Sequence, residues 1–361
     1  MVESKIAVVP RGSSAAPELL VAVARSVALG TVLTFALALA CAAQSVVVPA
    51  SAANARGTGS ANTLVRDANN PRTYQMGLPA AALAGLPAGA VLTGISFRAS
   101  ITTANPTTWP AMDLTFSDYE IRIGAAKPLR QWTTTLADNF VGTPALARDG
   151  GMTIERGSFS ASTLLPGVVP NPWGAFFFDF QDVVPFAGGD LAIAFAHPGS
   201  DGSGALFLDT IASNVTTGIG YTATAFPATT GVATSFAIPR LHYGYGTTCP
   251  GTNDAKPVLN LTNDTVGGGA ARVAVGNARP RAAMVYAFGS ERRADALPGG
   301  CLLLTNLLVT VPATTDANGR HALALTVPVD VRGTAQMQAL IVDAEAVGGF
   351  TASNGVSLTA R

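Results

Sequence analysis

Along much of the chain apolar and polar residues alternate with a period of two. In SDYEIRIG (117–124), Tyr119, Ile121 and Ile123 alternate with Asp118, Glu120 and Arg122, the pattern of a half-buried antiparallel strand. Related patterns mark 90–99, 175–181, 190–197, 205–210 and 233–245, with Pro/Gly/Asn turns such as LLPGVVPNPWG (164–174) between them. Only PAAALAGL (79–86) hints at a helix. Short strands punctuated this way predict an all-β fold, with a jelly-roll-like β-sandwich over 72–246. Past Gly246 aromatic residues thin out and Ala/Val/Leu strands follow at 257–262, 270–277, 281–289, 302–311, 320–329, 336–344 and 355–360. These predict a smaller immunoglobulin-like β-sandwich over 247–361, in which Asn318-Gly319 forms a tight hairpin turn with both residues at positive φ. Residues 44–71, rich in Ser, Ala, Asn and Gly, read as a flexible N-terminal segment.

One apolar stretch has no alternation. Val27 to Ala43 is uncharged, follows Arg25 and ends in small residues, which predicts a signal peptide over 1–43. Cleavage as late as Ala52 fits the same small-residue requirement, and ALAC (38–41) keeps lipidation of Cys41 as an alternative. An uncleaved span through Ala50 is a third reading; after cleavage no transmembrane span is expected. Of the 361 residues 48% are hydrophobic and only 12% charged, and the formal net charge is zero. The apolar content is ample for two cores, and the charge balance implies neither nucleic acid nor an anionic membrane as partner.

Loss of Cys41 on export leaves two cysteines, Cys249 and Cys301, which an oxidising compartment would pair. Closing the loop between them would stabilise the second sandwich by about 4 kcal/mol on the chain-entropy account. The succession GYGTTCPGT, LPGGCLL, DANGRHALALTVPV, AQMQALIVD and SNGVSL, over 242–361, resembles the C-terminal two-cysteine β module of uncharacterised secreted proteins from planctomycete-type bacteria. The resemblance implies export and a stapled sandwich, and carries no activity.

Candidate chemistry is sparse. The chain has no G-x-S-x-G elbow, H-E-x-x-H or phosphate-binding glycine loop. His197, His242 and His321 are far apart and read as structural. Asp118, Glu120, Asp179, Asp182, Asp190 and Asp209 could supply the carboxylate pair of a glycoside hydrolase, although the alternation around Asp118 and Glu120 puts that face in solvent. Asp201 and Asp209, with Ser200 and Ser203 among glycines, could hold Ca²⁺, and no other cofactor is implied. DANG (316–319) lacks the downstream Glu of a calcium loop. Trp109, Trp132 and Trp173 lie in loop-like contexts and could form an aromatic platform for polysaccharide, or act as core residues. Together these features predict a secreted, non-catalytic structural or adhesive protein of the cell surface or extracellular matrix, with polysaccharide or other matrix proteins as partners. A carbohydrate-binding module is the alternative, and a glycoside hydrolase the second.

Overall fold

The computed structural model describes residues 44–67, 70–101, 108–160, 170–173, 176–203, 206–262, 270–326 and 333–360. Residues 1–43, with the expected signal peptide and Cys41, lie outside the described residues. The fold is all-β; among the described residues the helical turns are all short 3-10 segments and every ladder is antiparallel. The helical hint at 79–86 is one such turn, Ala80–Leu83. Among the described residues no helix is long and apolar enough to cross a membrane.

In the first sandwich a six-stranded sheet runs in the order Val232–Thr234, Ile219–Ala223, Arg72–Leu78, Leu191–His197, Glu120–Ala125, Ala145–Arg148. It packs against a four-stranded sheet ordered Ser45–Val47, Arg240–Gly244, Val91–Ser96, Phe178–Pro185. Ile121 and Ile123 point into the core as the alternation requires, and Glu120 and Arg122 form an ion pair on the outer face. Edge-to-face aromatics join the two sheets: Phe195 meets Phe97 and Phe178 at centroid distances of 5.9 and 5.8 Å.

Arg72–Leu78 was not evident from alternation because both its faces are buried. The loop carrying Leu129, Trp132 and Phe140 folds over the outer face, and Gln75 there donates to the Leu136 carbonyl (2.9 Å) and accepts from Asn139 (2.8 Å). Gly77 is required at this crossing, since a Cβ would lie 2.8 Å from the Trp132 ring.

The segment expected to be flexible is part of the sandwich. Ser45–Val47 pairs with Arg240–Gly244, Gly59–Ala61 pairs with Leu208–Ile211, and Val48 is fully buried. Its backbone alternates poorly because each strand is only three residues long. Gln44 also reaches the second sandwich, its side-chain oxygen accepting the Ser357 N–H at 2.5 Å. A chain beginning at Ala53, the product of cleavage after Ala52, is therefore expected to be less stable than one beginning at Gln44. The loss should be about 2–3 kcal/mol from Val48 burial and the edge ladder. Equal urea midpoints for the two chains would refute this.

The second sandwich pairs a three-stranded sheet, Val258–Thr262, Ala270–Gly276 and His321–Thr326, with a larger one. In the latter Val309–Thr314, Ala283–Gly289, Gly333–Val342 and Phe350–Ala352 are neighbours in that order, and Val356–Ala360 also pairs with Gly333–Val342. The predicted continuous strand 302–311 is broken, because Leu302–Thr305 leaves to pair with Arg292–Ala296. The Asn318-Gly319 turn does not close a hairpin: the strands on either side of it belong to opposite sheets. Only Gly319 has positive φ there (+70°), and the Asp316 side chain holds the turn by accepting the N–H groups of Asn318 and Arg320, both at 2.8 Å. Cys249 and Cys301 form a disulfide, and the Cys249 N–H donates to the Ala352 carbonyl (2.8 Å), pinning the connection between sandwiches to the second core.

Candidate functional site

Two of the three tryptophans are unavailable as a ligand platform. Trp109 is 5% exposed, paired across strands with Phe159 and edge-on to its ring at 5.9 Å. Trp132 is 8% exposed and donates its indole N–H to the Lys127 carbonyl (3.0 Å) while covering Gly77. Trp173 is half-buried, with the guanidinium groups of Arg98 and Arg240 over its ring at 5.2 and 5.7 Å. The three do not converge on one surface feature. They serve as anchors, which loop-like sequence context does not distinguish from exposed aromatics.

The calcium reading also needs correction. Asp209 is 2% exposed and both its oxygens accept the Gly57 N–H at 2.9 Å. Arg98, itself 1% exposed, donates Nε to the same carboxylate at 2.8 Å. Asp209 is thus the internal counter-charge of a buried arginine, and is not free to ligate. Asp201 accepts the Thr115 N–H (2.7 Å) at an exposed turn. Among the described residues no three His, Cys, Asp or Glu side chains cluster in metal-binding fashion.

The buried histidines are neutral. His242 accepts or donates at Ser96 Oγ (2.8 Å), and burial, reinforced by Arg240, pushes its pKa down to about 3. His197 lies stacked on Tyr119 (5.2 Å) and edge-on to Phe116 (5.1 Å), and its Nδ1 accepts the Gly199 N–H (3.1 Å). Burial first, then Arg72 and Arg66, lower its pKa to about 4. The third, His321, meets the Tyr286 hydroxyl through Nδ1 at 2.9 Å.

Where the two sandwiches meet, they enclose a cleft of about 330 Å³. One wall comes from the first sandwich: Phe176, Phe177 and Asp179, with Thr153, Glu155 and Ser158 at the adjoining turn. Asp179 is held by Arg148 at 2.8 Å and by Arg320, from the second sandwich, at 3.3 Å. The contact is extended by Lys256 on Asp182 (2.7 Å) and by Asn277 donating to the Gln181 carbonyl (2.6 Å).

The opposite wall is the outer face of the three-stranded sheet. Register places Asn260, Ala274 and Ala322 in one cross-strand row, and Thr262, Arg272 and Ala324 in the next. Residues opposite one another share a face, so two alanines form a flat floor bounded by an amide and a guanidinium. Asn260 is 2% exposed, yet its Oδ1 has no hydrogen-bond partner. Arg272 forms no ion pair among the described residues. Neither residue stands out in the sequence as a ligand contact. The signal is an amide set between Leu259 and Leu261, but that position reads as solvent-facing until the first sandwich covers it.

No family model matches the sequence, and no curated protein matches it.

Proposed function

We propose that the chain is a secreted, non-catalytic protein with a structural or adhesive role at the cell surface or in an extracellular matrix. The observation that carries this reading is the commitment of its buried ionisable groups to structure. Asp209 neutralises Arg98, Asp343 accepts from Thr252 (2.7 Å) and Arg279 (2.8 Å), His242 is bound to Ser96, and His197 is sealed among aromatic rings. The carboxylate nearest to an enzyme-like position, Asp179 in the cleft, is gripped by two guanidinium groups, a poor arrangement for a proton donor or for a nucleophile. The Cys249–Cys301 disulfide supports export, because such bonds persist in oxidising compartments. The test is fractionation of producing cells combined with non-reducing peptide mapping. Protein recovered from the surface or medium with the Cys249–Cys301 peptide linked is the expected result. Cytosolic protein with both thiols free would overturn the proposal.

A further inference from the structure

We infer that the cleft between the two sandwiches is a saccharide-binding site, in which Asn260, Arg272 and the Ala274–Ala322 floor receive one or two sugar rings. This deepens the adhesive reading and rests on it, by giving the adhesive protein a ligand.

A buried amide oxygen without a donor is a standing cost, since water has been removed and nothing replaces it. Asn260 Oδ1 is in this condition just behind the cleft wall and closed to solvent, so a ligand donor relieves the cost once the amide turns toward the opening. Arg272 presents the complementary need: its guanidinium offers donors and has no carboxylate among the described residues. A ligand satisfying both must accept and donate within one small volume, which is what neighbouring hydroxyl groups on a sugar ring do. An acidic peptide fits less well, because its carboxylates would face Glu155 and Asp316 in the same cleft.

Shape agrees with this chemistry. Ala274 and Ala322 leave a flat apolar patch that a side chain of ordinary size would fill, and Phe176 and Phe177 contribute to the facing wall. A pyranose ring has an apolar face to set against such surfaces, with its hydroxyls at the perimeter. The volume lies at the small end of ligand clefts, suited to a mono- or disaccharide unit of a longer chain entering from the open side.

The test uses the chain beginning at Gln44, with cellobiose, maltose, mannobiose and diacetylchitobiose as probes and a hexa-aspartate peptide for comparison. Saturation-transfer NMR and calorimetry would report contact and affinity. The expected result is saturable binding of at least one disaccharide, weakened roughly tenfold or more by Ala274→Trp, which fills the floor, and by Arg272→Ala. Asn260→Leu should weaken binding while raising the unfolding midpoint, since it removes an unsatisfied amide; a merely structural asparagine would lower it. Failure of every disaccharide to saturate, undiminished binding in Ala274→Trp, a lowered midpoint in Asn260→Leu, or binding of the aspartate peptide alone would each overturn the inference. Fractionation reports separately on export, so surface-located protein that binds no disaccharide would remove this inference and leave the structural reading standing.

Discussion

Asp209→Ala is expected to destabilise the protein by about 3–5 kcal/mol, enough to unfold a marginal chain at growth temperature. The size follows from what the substitution leaves behind. Arg98 is 1% exposed, and its ion pair with Asp209 (2.8 Å) is its counter-charge. Its remaining partners carry no charge: the carbonyls of Ala53 at 3.4 Å and of Ala55, and the Trp173 ring at 5.2 Å. Without Asp209 a guanidinium stays in the interior uncompensated, and the Gly57 N–H loses its acceptor. The pair also closes the path of the N-terminal segment, since residues 53–57 are tied through Arg98 and Asp209 to strand Leu208–Ile211. Replacing both partners, Arg98→Met with Asp209→Leu, should cost less than Asp209→Ala alone, because no charge is then stranded. Urea unfolding of the three chains decides the matter. A loss below about 1 kcal/mol for Asp209→Ala would mean that water reaches Arg98 and that the pair is not truly interior.

The same residue shows how far the sequence could be read. HPGSDGSGALFLD has the composition of a cation-binding loop, and on that basis Asp209 reads as a partner of Asp201. Its real partner, Arg98, lies 111 positions away, a pairing that local spacing does not encode. Strands whose two faces meet different environments were legible, Glu120–Ala125 most clearly, since period-two alternation directly records a buried and a solvated side. Arg72–Leu78 escaped because a loop buries its second face, and Ser45–Val47 because three residues cannot display a period. Strand order, on which names such as jelly roll and immunoglobulin-like depend, is set by long-range pairing and is not written in alternation. The cleft was hidden for the same reason: Asn260 and Phe177 acquire a common surface only when the two sandwiches dock.

Burial also bears on how the protein should respond to acid. Stability is expected to fall as pH drops from about 6.5 to about 4, with a limiting slope of about 2.7 kcal/mol per pH unit, corresponding to two protons. The groups responsible are His197 and His242, each 1% exposed, with pKa values lowered to about 4 and about 3 from an ordinary 6.5. Burial is the main cause for both; Arg72 and Arg66 add to it around His197, and Arg240 around His242. The sign follows from proton counting. Between the native and unfolded values the unfolded chain takes up protons that the native chain refuses, so the full contribution is present above pH 6.5 and is lost on acidification. By pH 4 each imidazole accounts for on the order of 3 kcal/mol. Asp343 acts lower: burial alone would raise its pKa, but hydrogen bonds from Thr252 and Arg279 outweigh that and hold it below the ordinary 3.8. Its contribution therefore survives to pH 4, and the window above is left to the histidines. Urea unfolding at pH 7, 6, 5 and 4 measures the slope, and His197→Phe, which keeps a ring against Tyr119 and Phe116, should roughly halve it. A midpoint that stays constant from pH 7 to 4 would show that both imidazoles can be protonated in place, and with that the sealed interior on which the non-catalytic reading depends would be lost.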